Sequence, residues 1–274
     1  MPTELPFFQI DAFAERPFQG NPAAVMPLDA WLDDATLQAI ALENNLSETA
    51  FIVPSQAADA EYDLRWFTPA TEVDMCGHAT LATAHVLHTT GTASGTVRFS
   101  ARCGILTTTA HRDGTLTMDF PTAPLAPLAI PPGLARALGA EPVSVHDTGA
   151  QIGDLLIELT DEATVRALAP DLAALTALPR SDVIVTAAAG DASLGYDFVS
   201  RGFFPGVGID EDPVTGSAHT ALAPFWSPRL GRDDLTGLQV SARSGRVLTS
   251  LRGDRTLLTG SAVTVIDGEL LTAL

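Results

Sequence analysis

The 274-residue chain contains no lysine; all 15 of its basic residues are arginine. That absence excludes whole chemistries. Pyridoxal phosphate enzymes need a Schiff-base lysine, phosphate-binding P-loops need the lysine of their GK[ST] signature, and Lys-based aldolases need an amine nucleophile. Positive charge of any kind is scarce. Against 15 arginines stand 33 acidic residues, a formal net charge of −18. Such a chain is not expected to bind nucleic acid or anionic membranes, and the acidic excess reads as a solubilising surface. Only two cysteines occur, Cys76 and Cys103, too few for a disulfide framework. No run approaches the ~18 apolar residues of a membrane helix. Met1–Ile10 lacks the basic and apolar regions of a signal peptide, so a cytoplasmic location is the expectation. No HExxH, CxxC or calcium-loop spacing is present, so no metal site is expected. Aromatics make up 6% of the chain, which leaves the core to Ala, Leu, Val and Ile.

Apolar content is nevertheless ample, at 46%, and the length suits two domains. The sequence also repeats itself. Arg65-Trp66-Phe67-Thr68-Pro69 returns as Arg201-Gly202-Phe203-Phe204-Pro205, and Val73-Asp74 as Ile209-Asp210, each pair 136 positions apart. Ser100-Ala101-Arg102-Cys103-Gly104 returns as Ser241-Ala242-Arg243-Ser244-Gly245, 141 positions on. Between these echoes lie two related turns, Gly77-His78-Ala79-Thr80 and Gly216-Ser217-Ala218-His219-Thr220. A long period occurring twice indicates a duplicated domain rather than a solenoid. The boundary is expected in the Pro-rich stretch Pro121–Pro132, giving halves 1–124 and 125–274, with the last residues packing back on the first half.

Each half reads as short strands around an apolar helix. In the first, strands are expected at Pro6–Phe13, Ala23–Pro27, Thr49–Val53, Tyr62–Phe67, Val97–Ser100, Ile105–Ala110 and Thr115–Phe120. Its helices run from an Asp33 or Asp34 cap to Leu42 and from Ala79 to His88. The second half offers strands at Leu155–Leu159, Asp182–Thr186, Tyr196–Phe203, Leu238–Ala242, Arg246–Ser250 and Thr256–Gly260. Its helices fall at Glu162–Leu168 and from Ser217 onward.

Three segments have chemical potential. The turns at Gly77 and Gly216 open the two apolar helices, and a helix N-terminus presents unpaired N–H groups and partial positive charge. Each turn is either a simple cap or part of an anion site, and a duplicated pair could hold a carboxylate without a lysine. In Ile209-Asp210-Glu211-Asp212-Pro213 the acids either favour the following helix dipole or, for Asp212 held extended before Pro213, orient a substrate. Glu48, at the entrance of an apolar strand, is either a solvated loop residue or a base whose pKa is raised by desolvation. His78 is a second proton-transfer candidate, and His219 lies two residues after Ser217.

Asp11-Ala12-Phe13, Pro17-Phe18-Gln19-Gly20-Asn21-Pro22-Ala23-Ala24-Val25, Ser47-Glu48-Thr49-Ala50-Phe51, Gly77-His78-Ala79-Thr80 and Asp212-Pro213-Val214-Thr215-Gly216-Ser217-Ala218 together resemble the PhzF-like (phenazine biosynthesis) family, in order, from about Phe8 to Gly260. The resemblance implies an α+β, diaminopimelate epimerase-like fold of two pseudo-symmetric α/β barrels, each wrapping a central helix, with the active site between them. It implies a cofactor-free isomerase, usually a homodimer, acting on a small carboxylated metabolite. Glu48 would then be the acid–base residue. His78, Asp212 and Ser217 would complete the catalytic set, and Asn21, Gly77 and Gly216 would bind substrate.

Racemases and epimerases of the same fold use two thiols instead. Cys76 stands before Gly77 where one would belong, but Thr215 stands before Gly216, and counting from the repeated proline puts Asp212 opposite Cys76. Neither count supplies a second cysteine. A domain that binds a metabolite without turning it over is the non-catalytic alternative.

Overall fold

The computed structural model describes residues 3–272. The first part of the chain forms β1 (Thr3–Ala12), β2 (Asn21–Pro27), α1 (Asp34–Asn44), β3 (Glu48–Pro54), β4 (Tyr62–Phe67), β5 (Glu72–Val73), α2 (Gly77–Thr89), β6 (Thr96–Ala101), β7 (Gly104–Ala110) and β8 (Leu116–Pro121). It continues through β9 (Ala126–Leu128), α3 (Leu134–Leu138), β10 (Ser144–Asp147), β11 (Leu155–Glu158), α4 (Glu162–Ala167), α5 (Leu172–Thr176), β12 (Val183–Ala188), β13 (Phe198–Phe204) and β14 (Ile209–Asp212). The remainder is α6 (Gly216–Leu230), β15 (Asp234–Gln239), β16 (Gly245–Arg252), β17 (Arg255–Gly260) and β18 (Ala262–Thr272). Two compact units result: Met1–Asp119 with Thr259–Leu274, and Phe120–Leu258. Among the described residues no helix is long and apolar enough to cross a membrane.

Within the first unit, β1 is antiparallel to β2 and to β18, and β2 runs parallel to β3. β3 is antiparallel to β4, β4 parallel to β6, and β6 antiparallel to β7, while β5 adds a short hairpin to β4. The second unit repeats this grammar. β10 is antiparallel to β11, β11 parallel to β12, β12 antiparallel to β13, β13 parallel to β15, and β15 antiparallel to β16. Here β14 takes the place of β5 as the short hairpin on β13. The paired motifs therefore occupy equivalent positions in two units of one strand topology.

Side-chain alternation explains the apolar runs. Successive strand residues point to opposite faces. In β11 and β12, Leu155, Ile157, Val183 and Val185 enter a core with α3, α4 and α5, whereas Leu156 and Ile184 enter one with α6. Both faces are covered, so these strands read as continuous hydrophobic stretches. Helices α2 and α6 are buried nearly all round: 10 of 13 and 10 of 15 residues are inaccessible. That burial requires small or apolar residues on every side of each helix. α6 runs through Pro224 and Pro228. Pro224 cannot bond the Thr220 carbonyl, which instead accepts from the Ala123 amide at 3.2 Å.

Three expectations differ from the structure. The strand expected at Leu238–Ala242 is β15, ending at Gln239. Ser241 Oγ donates to the Pro213 carbonyl and accepts from the Ser244 amide, and Ser244 has φ 58°. The Ser244–Ser241 bond and the bond to Pro213 draw the chain out of the ladder. β18 has no counterpart in the sequence reading because its side chains are mostly exposed and carry no alternation. The Pro-rich boundary region contains β9, a three-residue strand beside β10.

Gly20 shows how tightly the approach to Asn21 is built. It has φ +66°, and a Cβ there would lie 2.1 Å from the Ala12 carbonyl oxygen. Backbone, unlike a flexible side chain, cannot give way. Gly20→Ala is expected to destabilise the fold by about 2–5 kcal/mol, combining left-handed strain with overpacking. Urea unfolding measures it, and a loss below 1 kcal/mol would contradict this account.

Candidate active site

In the first unit, β2, β3, the start of α2 and the residues just before β3 and α2 bring Asn21, Ser47, Glu48, Cys76 and His78 together. Glu48 opens β3 and is buried, 9% exposed, where a solvated loop residue would be open to water. Its Oε2 lies 2.9 Å from His78 Nε2. The contact is an ion-pair distance rather than an aligned hydrogen bond, and Oε2 has no hydrogen-bond partner. His78, the second residue of α2, also has Nδ1 3.2 Å from Asn21 Nδ2 and 3.5 Å from Cys76 Sγ. Ser47 Oγ donates to Asn21 Oδ1 at 3.1 Å. With this amide orientation Nδ1 accepts and the Nε2–H faces Glu48. A charged ring needs the amide turned, so that Oδ1 receives Nδ1–H and Nδ2 meets Ser47 Oγ, which accepts as readily as it donates.

Burial opposes charge on the His78 ring, but the Cys76 sulfur and the Glu48 carboxylate outweigh it and hold its pKa well above 6.5. Burial and the nearby Glu48 push the Cys76 thiol up. A neutral thiol gives the ring little support, so the carboxylate is the partner that matters. Cys76 is also the N-cap of α2, in extended geometry and with no side-chain capping bond.

The second unit places Thr215 equivalently, as an extended N-cap of α6 without a side-chain capping bond. Around it, buried Asp212 accepts from Thr215 Oγ1 at 2.6 Å. Gln239 ties this turn together. Its Oε1 accepts from the Thr215 amide at 2.8 Å, and its Nε2 donates to the Asp212 carbonyl at 2.8 Å. Gly216 and Ser217 form the first turn of α6, Gly216 buried and Ser217 partly exposed. Of the other acids in the segment, Glu211 forms a bidentate pair with Arg201 and Asp210 is exposed. Arg65 holds Glu72 the same way in the first unit. Each clamp braces the hairpin that leads into the buried helix.

The sequence-derived residues thus form two sets: Asn21, Glu48, Gly77 and His78 in one unit, and Asp212, Gly216 and Ser217 in the other. Sequence reasoning missed Gln239, which belongs to no motif and ends a strand of mixed composition, DLTGLQ, that gives no sign of its burial. It also missed the convergence of Cys76 with Glu48 and His78, whose ligand atoms all lie within 4.8 Å of one another. No linear spacing announces that set.

A family model described as "Phenazine biosynthesis-like protein" matches residues 10–268. The chain belongs to this PhzF family. An uncharacterized isomerase of Pseudomonas aeruginosa is 54% identical over 268 residues, covering 97% of this chain and 99% of its own. A PhzF-family protein of Enterococcus faecalis, solved by crystallography, matches with TM-score 0.90 and 43% identity over 98% of this chain and 99% of its own. A hydroxyproline epimerase of Agrobacterium vitis, at 11% identity and TM-score 0.64 over 98% and 92%, shares the fold. At the family level the PhzF-like chain is an isomerase, with the fold of the epimerases and racemases.

His219 sits one turn into α6, fully buried, with Nδ1 2.8 Å from the Thr215 carbonyl and Nε2 without a partner. Burial lowers its pKa from 6.5 to about 4. The folded state therefore favours the neutral ring. That contribution to stability is complete above pH 6.5 and is lost as pH falls through about 4. The urea midpoint of the wild type should fall relative to that of His219→Gln across this window; parallel curves would contradict it. Gln239→Leu, which orphans the Thr215 amide and the Asp212 carbonyl, should cost about 2–4 kcal/mol in the same assay.

Proposed function

We propose that the chain is a cofactor-independent isomerase that moves a proton on a small carboxylated substrate, with Glu48 as the acid–base group. The observation that carries this reading is the buried Glu48 carboxylate, its Oε2 2.9 Å from His78 Nε2. As a base, Glu48 takes a proton from a carbon next to an unsaturated system. The electron pair left behind delocalises into that system. The same carboxyl then returns the proton to another carbon, so the enzyme ends as it began and no electrons are exchanged with a cofactor. A single group serving both carbons must be held close to each. His78, 2.9 Å from Oε2, holds the carboxylate in place.

Negative charge grows on the substrate as the proton leaves, and fixed dipoles stabilise it. The amides at Gly77, opening α2 without a side-chain cap, are suited to that task. Asn21, which meets His78 Nδ1, is assigned to substrate binding. Asp212, Gly216 and Ser217 are assigned to binding and orienting substrate, Asp212 being fixed through Thr215 and Gln239.

Thiol chemistry is the second reading, because Cys76 lies 3.5 Å from His78 Nδ1. Against it, Thr215 occupies the duplicate position, Cys103 is exposed, and burial keeps Cys76 protonated. Proton NMR in D2O on a panel of small unsaturated and α-amino carboxylates separates the readings. Glu48→Gln should lose solvent exchange into substrate by at least ~100-fold, with ligand-induced shifts retained, while Cys76→Ala keeps exchange. The opposite pattern would establish the thiol mechanism, and binding without exchange in the wild type would favour a metabolite-binding protein.

A further inference from the structure

The second unit carries an acid at the position that Glu48 holds in the first. Thr49 pairs with Phe67 and Val183 with Phe203, and Phe67 and Phe203 stand 136 positions apart, as Arg65 and Arg201 do. Thr49 and Val183 are therefore counterparts, and so are the residues before them, Glu48 and Asp182. Glu48 meets a histidine. Asp182 meets a second carboxyl, Asp154. Leu155, the residue after Asp154, pairs in parallel with Val183 and donates its amide to the Asp182 carbonyl at 3.0 Å. Leu156 and Ile184, two residues beyond the acids, both enter the core with α6. Strand alternation turns Asp154 and Asp182 to that same face at neighbouring positions.

Neither carboxyl is closed off by donors. Asp182 Oδ1 accepts from the Gly206 amide at 2.7 Å and from the Ser181 hydroxyl at 3.3 Å, whereas Oδ2 accepts from neither. Asp154 is 8% exposed, and among the described residues no donor reaches its carboxyl. Its main chain is tied instead: the amide donates to Thr148 Oγ1 at 3.1 Å, and the carbonyl accepts from Arg180 Nη2 at 2.9 Å. The charged groups acting on the Asp154 carboxyl are Asp182 and Arg180, and Arg180 is itself paired with Asp147 on β10. Ionised carboxylates only accept, and adjacent like charges away from water resist being ionised together. A proton between the two acids satisfies both. Burial and the Asp182 charge push the Asp154 carboxyl up to about 7, against the pull of Arg180.

We propose that Asp154 and Asp182 share one proton, and that its loss shifts the turn leading into Asp212. That turn, Pro205–Val207, lies between β13 and β14, and Asp212 ends β14. Gly206 approaches the acids so closely that a Cβ there would lie 2.3 Å from Ser181 Oγ and 2.8 Å from Asp182 Oδ1. Once the proton leaves, repulsion turns the Asp182 carboxylate, and the Gly206 amide that it holds moves with it. Neither clause depends on the acid–base role of Glu48.

Carbon-13 NMR of the full chain, labelled at its aspartate carboxyls, tests both clauses. The Asp154 signal, identified by its absence in Asp154→Asn, should titrate with a midpoint near 7 rather than near 3.8. Asp182→Asn removes the neighbouring charge and should lower that midpoint by roughly one pH unit or more. The Gly206 and Asp212 amide signals should follow the same midpoint in the wild type and lose that transition in Asp154→Asn. Stability supplies an independent reading. Folding raises the Asp154 pKa, so the contribution of its proton is complete below 3.8 and lost as pH rises through about 7. The urea midpoint of the wild type should fall relative to that of Asp154→Asn over this window. Should Asp154→Asn fail to fold by circular dichroism, through-bond correlation to the Asp154 backbone identifies the wild-type signal, and Asp182→Asn carries the comparison. A midpoint near 3.8, or one that Asp182→Asn leaves unchanged, overturns the shared proton. If the carboxyl titrates as expected while the Gly206 and Asp212 amides stay still, the turn clause falls alone.

Discussion

A carboxylate taken out of water beside a histidine is the constraint on which the first unit turns. Glu48 begins a strand otherwise made of Thr, Ala, Phe, Ile, Val and Pro, and that strand is the middle of the sheet. A charged group in such surroundings is tolerated only with a partner. His78 provides one, yet the approach leaves an oxygen without an aligned hydrogen bond.

Duplication supplies the frame, and divergence supplies the chemistry. Both units use the same alternation of parallel and antiparallel pairs, the same short hairpin braced by an arginine clamp, and the same uncapped helix emerging from it. What differs is the N-cap residue and its surroundings. Cys76 is joined to His78 and Glu48; Thr215 is joined to Asp212 and Gln239. At its N-cap one copy has kept titratable groups in contact, while the other has a hydrogen-bonded scaffold with a single buried carboxylate.

Much of this was legible in the sequence. The continuous apolar runs of β3, β11 and β12 announce strands covered on both faces, and the echoes at Arg65 and Arg201 mark equivalent strands. The Gly77 and Gly216 turns locate both buried helices to within two residues. Other features left no local trace. β18 forms by pairing with β1 across the whole sequence, and its exposed side chains follow no period. α6 survives two prolines because Ala123 takes up the freed carbonyl of Thr220, a long-range compensation invisible in a window of residues. β15 stops early because serine side chains compete for the backbone. The burial of Glu48 and the role of Gln239 depend on neighbours 30 and 24 positions away in the chain, His78 and Thr215, and no spacing rule reaches that far.

The pairing of β1 with β18 bears on the order of synthesis. Residues Thr3–Ala12 pair with Ala262–Thr272, so the first sheet lacks one of its strands until residues 262–272 have been synthesised. The second unit, contiguous from Phe120 to Leu258, has all of its chain by then. On a ribosome the later-encoded unit can complete itself first, while the earlier one waits with an open edge on β1. Closing that edge joins segments some 250 residues apart, a contact whose loop entropy makes it late and slow. The nascent protein is thus most exposed to strand-to-strand association just before residues 262–272 emerge.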